Sequence, residues 1–178
     1  VRALCVVAHG SEDERRQASR VRELWPEVRL ATGVHPHEAR QVADGLSELP
    51  EALEAAWHTT PGLCAVGEIG LDYHYDLSPR DLQREVFRLQ VRAARESGRP
   101  VIVHTREADE DTLSILDEAG RGEVRGVFHC FSGSPALARA ALARGFYLSF
   151  SGILTFPRAD TLRLIAAETP EDRLRRWT

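Results

Sequence analysis

Six short apolar runs recur along the chain, each separated from the next by enough residues for a helix. This alternation restricts the possible folds more than any other feature. The runs are "ALCVVA" (3–8), "VRLATGVH" (28–35), "LCAVGEIG" (63–70), "PVIVH" (100–104), "GVFHC" (126–130) and "FYLSFSGI" (146–153). Their length and their share of β-branched and aromatic residues suit strands. The segments between them have helical spacing. Leu82, Val86, Leu89 and Ala93 form one stripe within 79–97, the repeat of an amphipathic helix. Ser78 fits its N-cap, Pro79 its first position, and Gly98 with Pro100 its far end. A second helix is expected near 107–119, with Leu113 and Leu116 inward and a stop at Gly120. Others are expected near 11–24, 40–57, 134–144 and 158–167. Such alternation implies βαβ units and a parallel sheet. No linker or low-complexity tract interrupts the sequence, so 1–178 is expected to form a single α/β domain.

Right-handed βαβ crossovers bring the C-terminal ends of parallel strands to one face. Three of the runs place a potential metal ligand at or near that end: Glu68, His104 and His129. One carboxylate and two imidazoles suit Zn²⁺, Mn²⁺ or Mg²⁺ better than copper or an iron–sulfur cluster. A single histidine at a strand end is commonly a cap or a core contact, but three ligand-type residues converging on one face favour a metal. "GVHPH" (33–37) ends on the same face. Its His35 divides evenly between a site role and a polar loop, whereas His37 reads more as a loop residue. Asp72 could orient a ligand, with a side-chain turn after Leu71 the slightly better reading. Arg106, expected at a helix start, suits a phosphate oxygen but equally a solvated surface. His9 reads as a loop residue, and His58 and His74 as surface residues. "CFSGS" (130–134) lacks the G-x-S-x-G of a nucleophile elbow, so its small residues are expected to admit a ligand or cap the next helix.

A formal net charge of −4 excludes a general electrostatic grip on nucleic acid, so such a substrate would have to be held locally by a metal or a few arginines. Cys5, Cys64 and Cys130 have no ligand-like spacing and read as buried small hydrophobes in a reducing compartment, which points to the cytoplasm. No run approaches the ~20 apolar residues of a membrane span, so no membrane partner is expected. All 23 basic residues are Arg, and Lys, Asn and Met are absent, as a GC-rich gene would give. Val1 at the start suggests that the true beginning lies upstream.

"GVHPHEA", "VGEIGLDY", "LSPRDLQREVFRLQ", "PVIVHTREADEDTL", "FHCFSGS" and "GFYLSFSGILTF" occur in this order, and with them the chain resembles the TatD-family metal-dependent deoxyribonucleases. The resemblance covers nearly the whole chain. It implies a TIM-type (β/α)8 barrel of the metallo-dependent hydrolases and hydrolysis of DNA phosphodiesters with divalent metal ions, two in the intact type. Glu68, His104 and His129 match the family's metal ligands, and His35 matches a histidine at the rim of the active site. The resulting expectation is Glu68 and His35 as catalytic residues, Arg106 and Asp72 as substrate-binding residues, and DNA as substrate. The family's opening H-x-H strand and its closing Asp-bearing strand find no counterpart, the tail from Leu174 reading as a departure. The expectation is therefore a barrel short of its first and last strands that holds one ion. The alternatives are an inactive fragment with residual metal binding and a barrel hydrolase acting on another ester or an amide; the absence of Lys argues against the amide type.

Overall fold

The computed structural model describes the backbone of residues 5–8 and 12–176. Among these residues, seven strands lie in one sheet in sequence order: β1 (Cys5–Ala8), β2 (Arg29–Thr32), β3 (Leu63–Asp72), β4 (Val101–Arg106), β5 (Gly126–Phe128), β6 (Tyr147–Phe150) and β7 (Leu174–Arg176). Every neighbouring pair is parallel. Between them run α1 (Glu12–Leu24), α2 (Leu49–Thr59), α3 (Arg80–Glu96), α4 (Asp109–Gly120), α5 (Pro135–Ala143) and α6 (Asp160–Glu168). The six expected strands are all present, most of them shorter than their apolar runs. The seventh corrects the reading of the tail: Leu174 pairs with Leu148 and Arg176 with Phe150. His9 and the part of the first run before Cys5 lie outside the described residues. No helix among the described residues is long and apolar enough to cross a membrane.

Two helix expectations need correction. The segment expected to be one helix over 40–57 is instead 3₁₀ from Pro36 to Glu48, kinked at Gly45, and then α2. Pro50 in the first turn of α2 favours a fresh helix start there. Ser78 does not cap α3, which begins after Pro79. Its hydroxyl accepts from the Arg40 amide at 3.1 Å and donates to the His37 carbonyl at 3.0 Å, tying two loops together. The expected small-residue cap of the next helix is found, because Ser134 Oγ accepts from the Leu137 amide at 3.1 Å.

Alternate strand residues face opposite sides of the sheet. The helix-covered side carries the main core, in which Val66, Ile69 and Leu71 of β3 pack with Val86, Phe87 and Val91 of α3. The other side carries a small cluster of Ala31, Ala65 and Ile102. β3 changes phase between these sets. Val66 faces the helices, yet so do Ile69 and Leu71, and the pairing of β3 with β4 shifts register between Gly67 and Ile69. A register irregularity of this kind re-aims the residues beyond it, and it turns Glu68 with Asp72 to the inner side.

The two ends of the sheet are finished differently. At the N-terminal ends, arginines donate to main-chain carbonyls: Arg99 to Leu63 at 3.0 Å, Arg144 to Ala140 at 2.9 Å and Arg173 to Gly145 at 3.0 Å. At the C-terminal ends, α3 supplies two fully buried glutamines. Gln90 Oε1 accepts from the Val34 amide at 2.7 Å while its Nε2 donates to the Val34 carbonyl at 3.1 Å. Gln83 does the same for Asp72, at 2.9 and 3.2 Å, and also donates to the Ser78 carbonyl. Each amide replaces a missing strand neighbour. Gln90→Leu would strand both Val34 groups in the core at roughly 1–3 kcal/mol each. A loss of about 3 kcal/mol in urea unfolding is expected.

Candidate functional site

Glu68 projects from β3 at the C-terminal end of the sheet and is 9% exposed. Two imidazoles from the next two strands face it. His104, on β4, lies with Nδ1 3.2 Å from Glu68 Oε1, and His129, one residue past β5, lies with Nε2 3.9 Å from Oε2. His35, at the start of the 3₁₀ segment after β2, has a ligand atom within 4.8 Å of those of Glu68 and His104. Its ring centroid is 4.8 Å from that of His104. Neighbouring strands therefore bring one carboxylate and two imidazoles, Glu68, His104 and His35, within 4.8 Å of one another, with His129 approaching the other oxygen of Glu68 at 3.9 Å, a donor set that fits a divalent cation.

The charges sustain this arrangement. Burial alone would push the Glu68 carboxyl up, but the hydrogen bond with His104 and the charges of His129, His104 and His35 outweigh it and hold Glu68 below its ordinary range. Burial would likewise lower the His104 imidazole, and Glu68 and then Asp72 together raise it instead. Asp72, the last residue of β3, has no exposed surface. Oδ1 accepts from the His74 and Tyr75 amides at 3.1 and 2.8 Å, giving the turn favoured from the sequence. Oδ2 lies 2.9 Å from Nε2 of both His37 and His104. Burial raises its carboxyl, but the Tyr75 amide, His37 and His104 bring it down to about 2.

Arg106 stands apart from the imidazole cluster. It ends β4, three residues before α4 begins, so it occupies a strand end and not the expected helix start. Its guanidinium lies 4.8 Å from the Tyr75 ring centroid, and Tyr75 in turn meets His37 edge-on at 5.5 Å. His74 is exposed and faces Glu107 at 2.7 Å. His58 is also exposed.

The family model for TatD related DNase matches residues 1–175. The chain belongs to the TatD-related DNase family. An uncharacterized metal-dependent hydrolase, YabD of Bacillus subtilis, is 41% identical over 152 residues, or 85% of this chain and 58% of YabD. A relative named 3′-5′ ssDNA/RNA exonuclease TatD, from Escherichia fergusonii, is 32% identical over 160 residues, or 87% of this chain and 60% of its own length. Among solved structures, the TatD homologue YJJV of Escherichia coli K12 superposes with a TM-score of 0.83 at 28% identity, covering 98% of this chain and 66% of YJJV. The chain thus spans between about half and two-thirds of the length of these relatives. With these likenesses and the parallel sheet, the α/β fold is of the TatD TIM-barrel type.

Three residues at this TatD-type site were misjudged or overlooked in the sequence. His37, read as a loop residue, shares Asp72 with His104. Tyr75, 55% exposed, stands between His37 and Arg106; the only signal for it was the Tyr-rich "DYHYD" directly after a strand. Cys130, read as a buried hydrophobe, is half-buried with Sγ 3.2 Å from His129 Nε2, and burial pushes its thiol up. Cys64 is also only partly buried and packs against the inner alanine cluster. The glycines of "GEIG" are explained by close approach between strands. Gly70 has φ +142°, and a Cβ there would lie 1.8 Å from the His104 carbonyl oxygen. Gly70→Ala is expected to push β3 from β4 where Glu68 meets His104, costing about 3 kcal/mol or more. Thermal and urea unfolding measure it.

Proposed function

We propose that this chain carries the hydrolytic centre of a metal-dependent phosphodiesterase acting on DNA, single-stranded DNA in the first instance. The observation that carries the reading is the buried Glu68 carboxylate, held ionised between His104 Nδ1 and His129 Nε2. Those three residues would hold a divalent ion of the Mg²⁺, Mn²⁺ or Zn²⁺ kind. When bound, such an ion supplies neutralising charge at a phosphoryl oxygen and a more acidic water.

The chain's own groups then divide the remaining tasks. His35 Nδ1 accepts from the His37 amide at 3.3 Å, so in the neutral ring the proton sits on Nε2. His35 is thereby a donor to a phosphoryl oxygen, and in its imidazolium form a proton source for a leaving oxygen. Arg106 offers a forked pair of donors to a neighbouring phosphate. Tyr75, open to solvent beside it, offers a ring on which an unpaired base can stack, an interaction worth ~1–3 kcal/mol per base in single-strand binding. The aromatic platform favours single-stranded substrate, and the name of the Escherichia fergusonii relative is in keeping with it.

A labelled single-stranded oligonucleotide incubated with the purified chain and Mn²⁺ tests the reading. Chelator-sensitive shortening is expected, and Glu68→Gln should lower its rate roughly a hundredfold or more with the fold intact by circular dichroism. Undiminished cleavage by that variant would overturn the assignment, whereas hydrolysis of a lactone or simple ester in place of DNA would favour the alternative barrel hydrolase. In calorimetric titration, His104→Ala and His129→Ala should each weaken divalent-ion binding about tenfold or more.

A further inference from the structure

We infer that Asp72 is a positioning residue, whose Oδ2 engages the Nε2 protons of His37 and His104 together and so turns Nδ1 of His104 toward Glu68. Its metal-related part rests on the metal-dependent reading above; its structural part does not. Asp72 has no exposed surface, so it acts through other side chains and not on a substrate. Oδ1 alone makes the turn, through the His74 and Tyr75 amides. Oδ2 is not needed for that turn, yet it lies 2.9 Å from both imidazole Nε2 atoms. An ionised carboxylate only accepts hydrogen bonds, and four groups surround this one. Both Nε2 atoms must therefore carry protons. His104 Nδ1 faces a second ionised carboxylate, Glu68 Oε1 at 3.2 Å, so a cation bound beside Glu68 takes this nitrogen by displacing its proton while Nε2–H stays on Asp72.

The oxygen is itself held in place, because Gln83 brackets the Asp72 amide and carbonyl at 2.9 and 3.2 Å. Asp72 thereby links the loop after β2 to β4 through the end of β3. One ligand atom from each of His37, Asp72 and His104 lies within 4.8 Å of the others, a spacing that would also suit a second cation. Two N–H groups pointing at Oδ2 oppose that use, since a cation there would meet protons instead of lone pairs.

Asp72→Asn separates the two functions of the side chain. Its carbonyl oxygen can keep both turn amides, and its NH₂ then faces the imidazoles as a donor only. In long-range ¹H–¹⁵N spectra of the metal-free full chain at pH 8, assigned with His37→Gln and His104→Gln, both native rings should be protonated at Nε2. In Asp72→Asn both Nε2 protons should be lost, and calorimetric Zn²⁺ affinity should fall about 10–100-fold. Asp111→Asn, altering a carboxylate that contacts Tyr73 and Arg84 outside the cluster, should leave both readouts unchanged. An unprotonated Nε2 in either native ring overturns the inference. So does a native proton pattern or unchanged Zn²⁺ affinity in Asp72→Asn, or Zn²⁺ replacing the Nε2 protons of the native chain. If the native chain binds no Zn²⁺ but the protons are present and are lost in Asp72→Asn, the positioning role stands and the metal-dependent reading fails. Should Asp72→Asn not fold, the native spectrum decides alone.

Discussion

Two carboxylates buried on the inner side of a parallel sheet are tolerable only if something compensates their charge, and that requirement organises this structure. An isolated buried carboxylate would take up a proton and cease to be an anion. Here imidazoles from neighbouring strand ends converge on Glu68 and Asp72, and both stay below their ordinary carboxylate range. The convergence demands close strand approach, which Gly70 permits, and small inner side chains such as Ala31 and Ala65. It also demands that β3 change phase, since an unbroken alternation from Val66 would send Glu68 into the helix layer.

The sheet separates stability from chemistry along the strand direction. At the N-terminal ends, guanidinium groups occupy carbonyls left over by loops and helix ends. At the C-terminal ends, polar side chains are turned toward a shared spot. Arginine suits the first task because one planar fork can serve a carbonyl and still leave arms for a ring or a carboxylate. Arg173, for example, reaches both Gly145 and the Tyr147 ring. A lysine offers one point charge in place of that fork. The arginines at this end of the sheet thus have a structural use.

Much of this was legible in the sequence because it depends on local patterns. Apolar runs at strand length marked six of the seven strands, and the parallel topology then brought Glu68, His104 and His129 to one end. What escaped depends on long-range partners. His37 reads as a loop residue until Asp72, 35 positions away, is seen 2.9 Å from its ring. Ser78 reads as a cap until the Arg40 amide is seen to need an acceptor. β7 begins in "LRR", whose charge conceals a strand that pairing with β6 creates. Arg106 was displaced from a helix start to a strand end because β4 runs on past its apolar residues.

Gln83 and Gln90 are seven residues apart on α3, close to two full turns, so both amides point the same way. One brackets the strand end that bears Asp72, and the other the strand end that leads into His35. The separation of those two strand ends is then set by helix pitch, about 1.5 Å for each intervening residue, and not by loop packing. A rod of fixed pitch is far stiffer than a loop. Sequence drift in the surface loops can thus proceed without altering the gauge of the site, while a one-residue insertion in α3 between the glutamines would rotate one amide by about 100° and disengage it. α3, which contributes no side chain to the imidazole–carboxylate cluster, is thus constrained in length by that cluster.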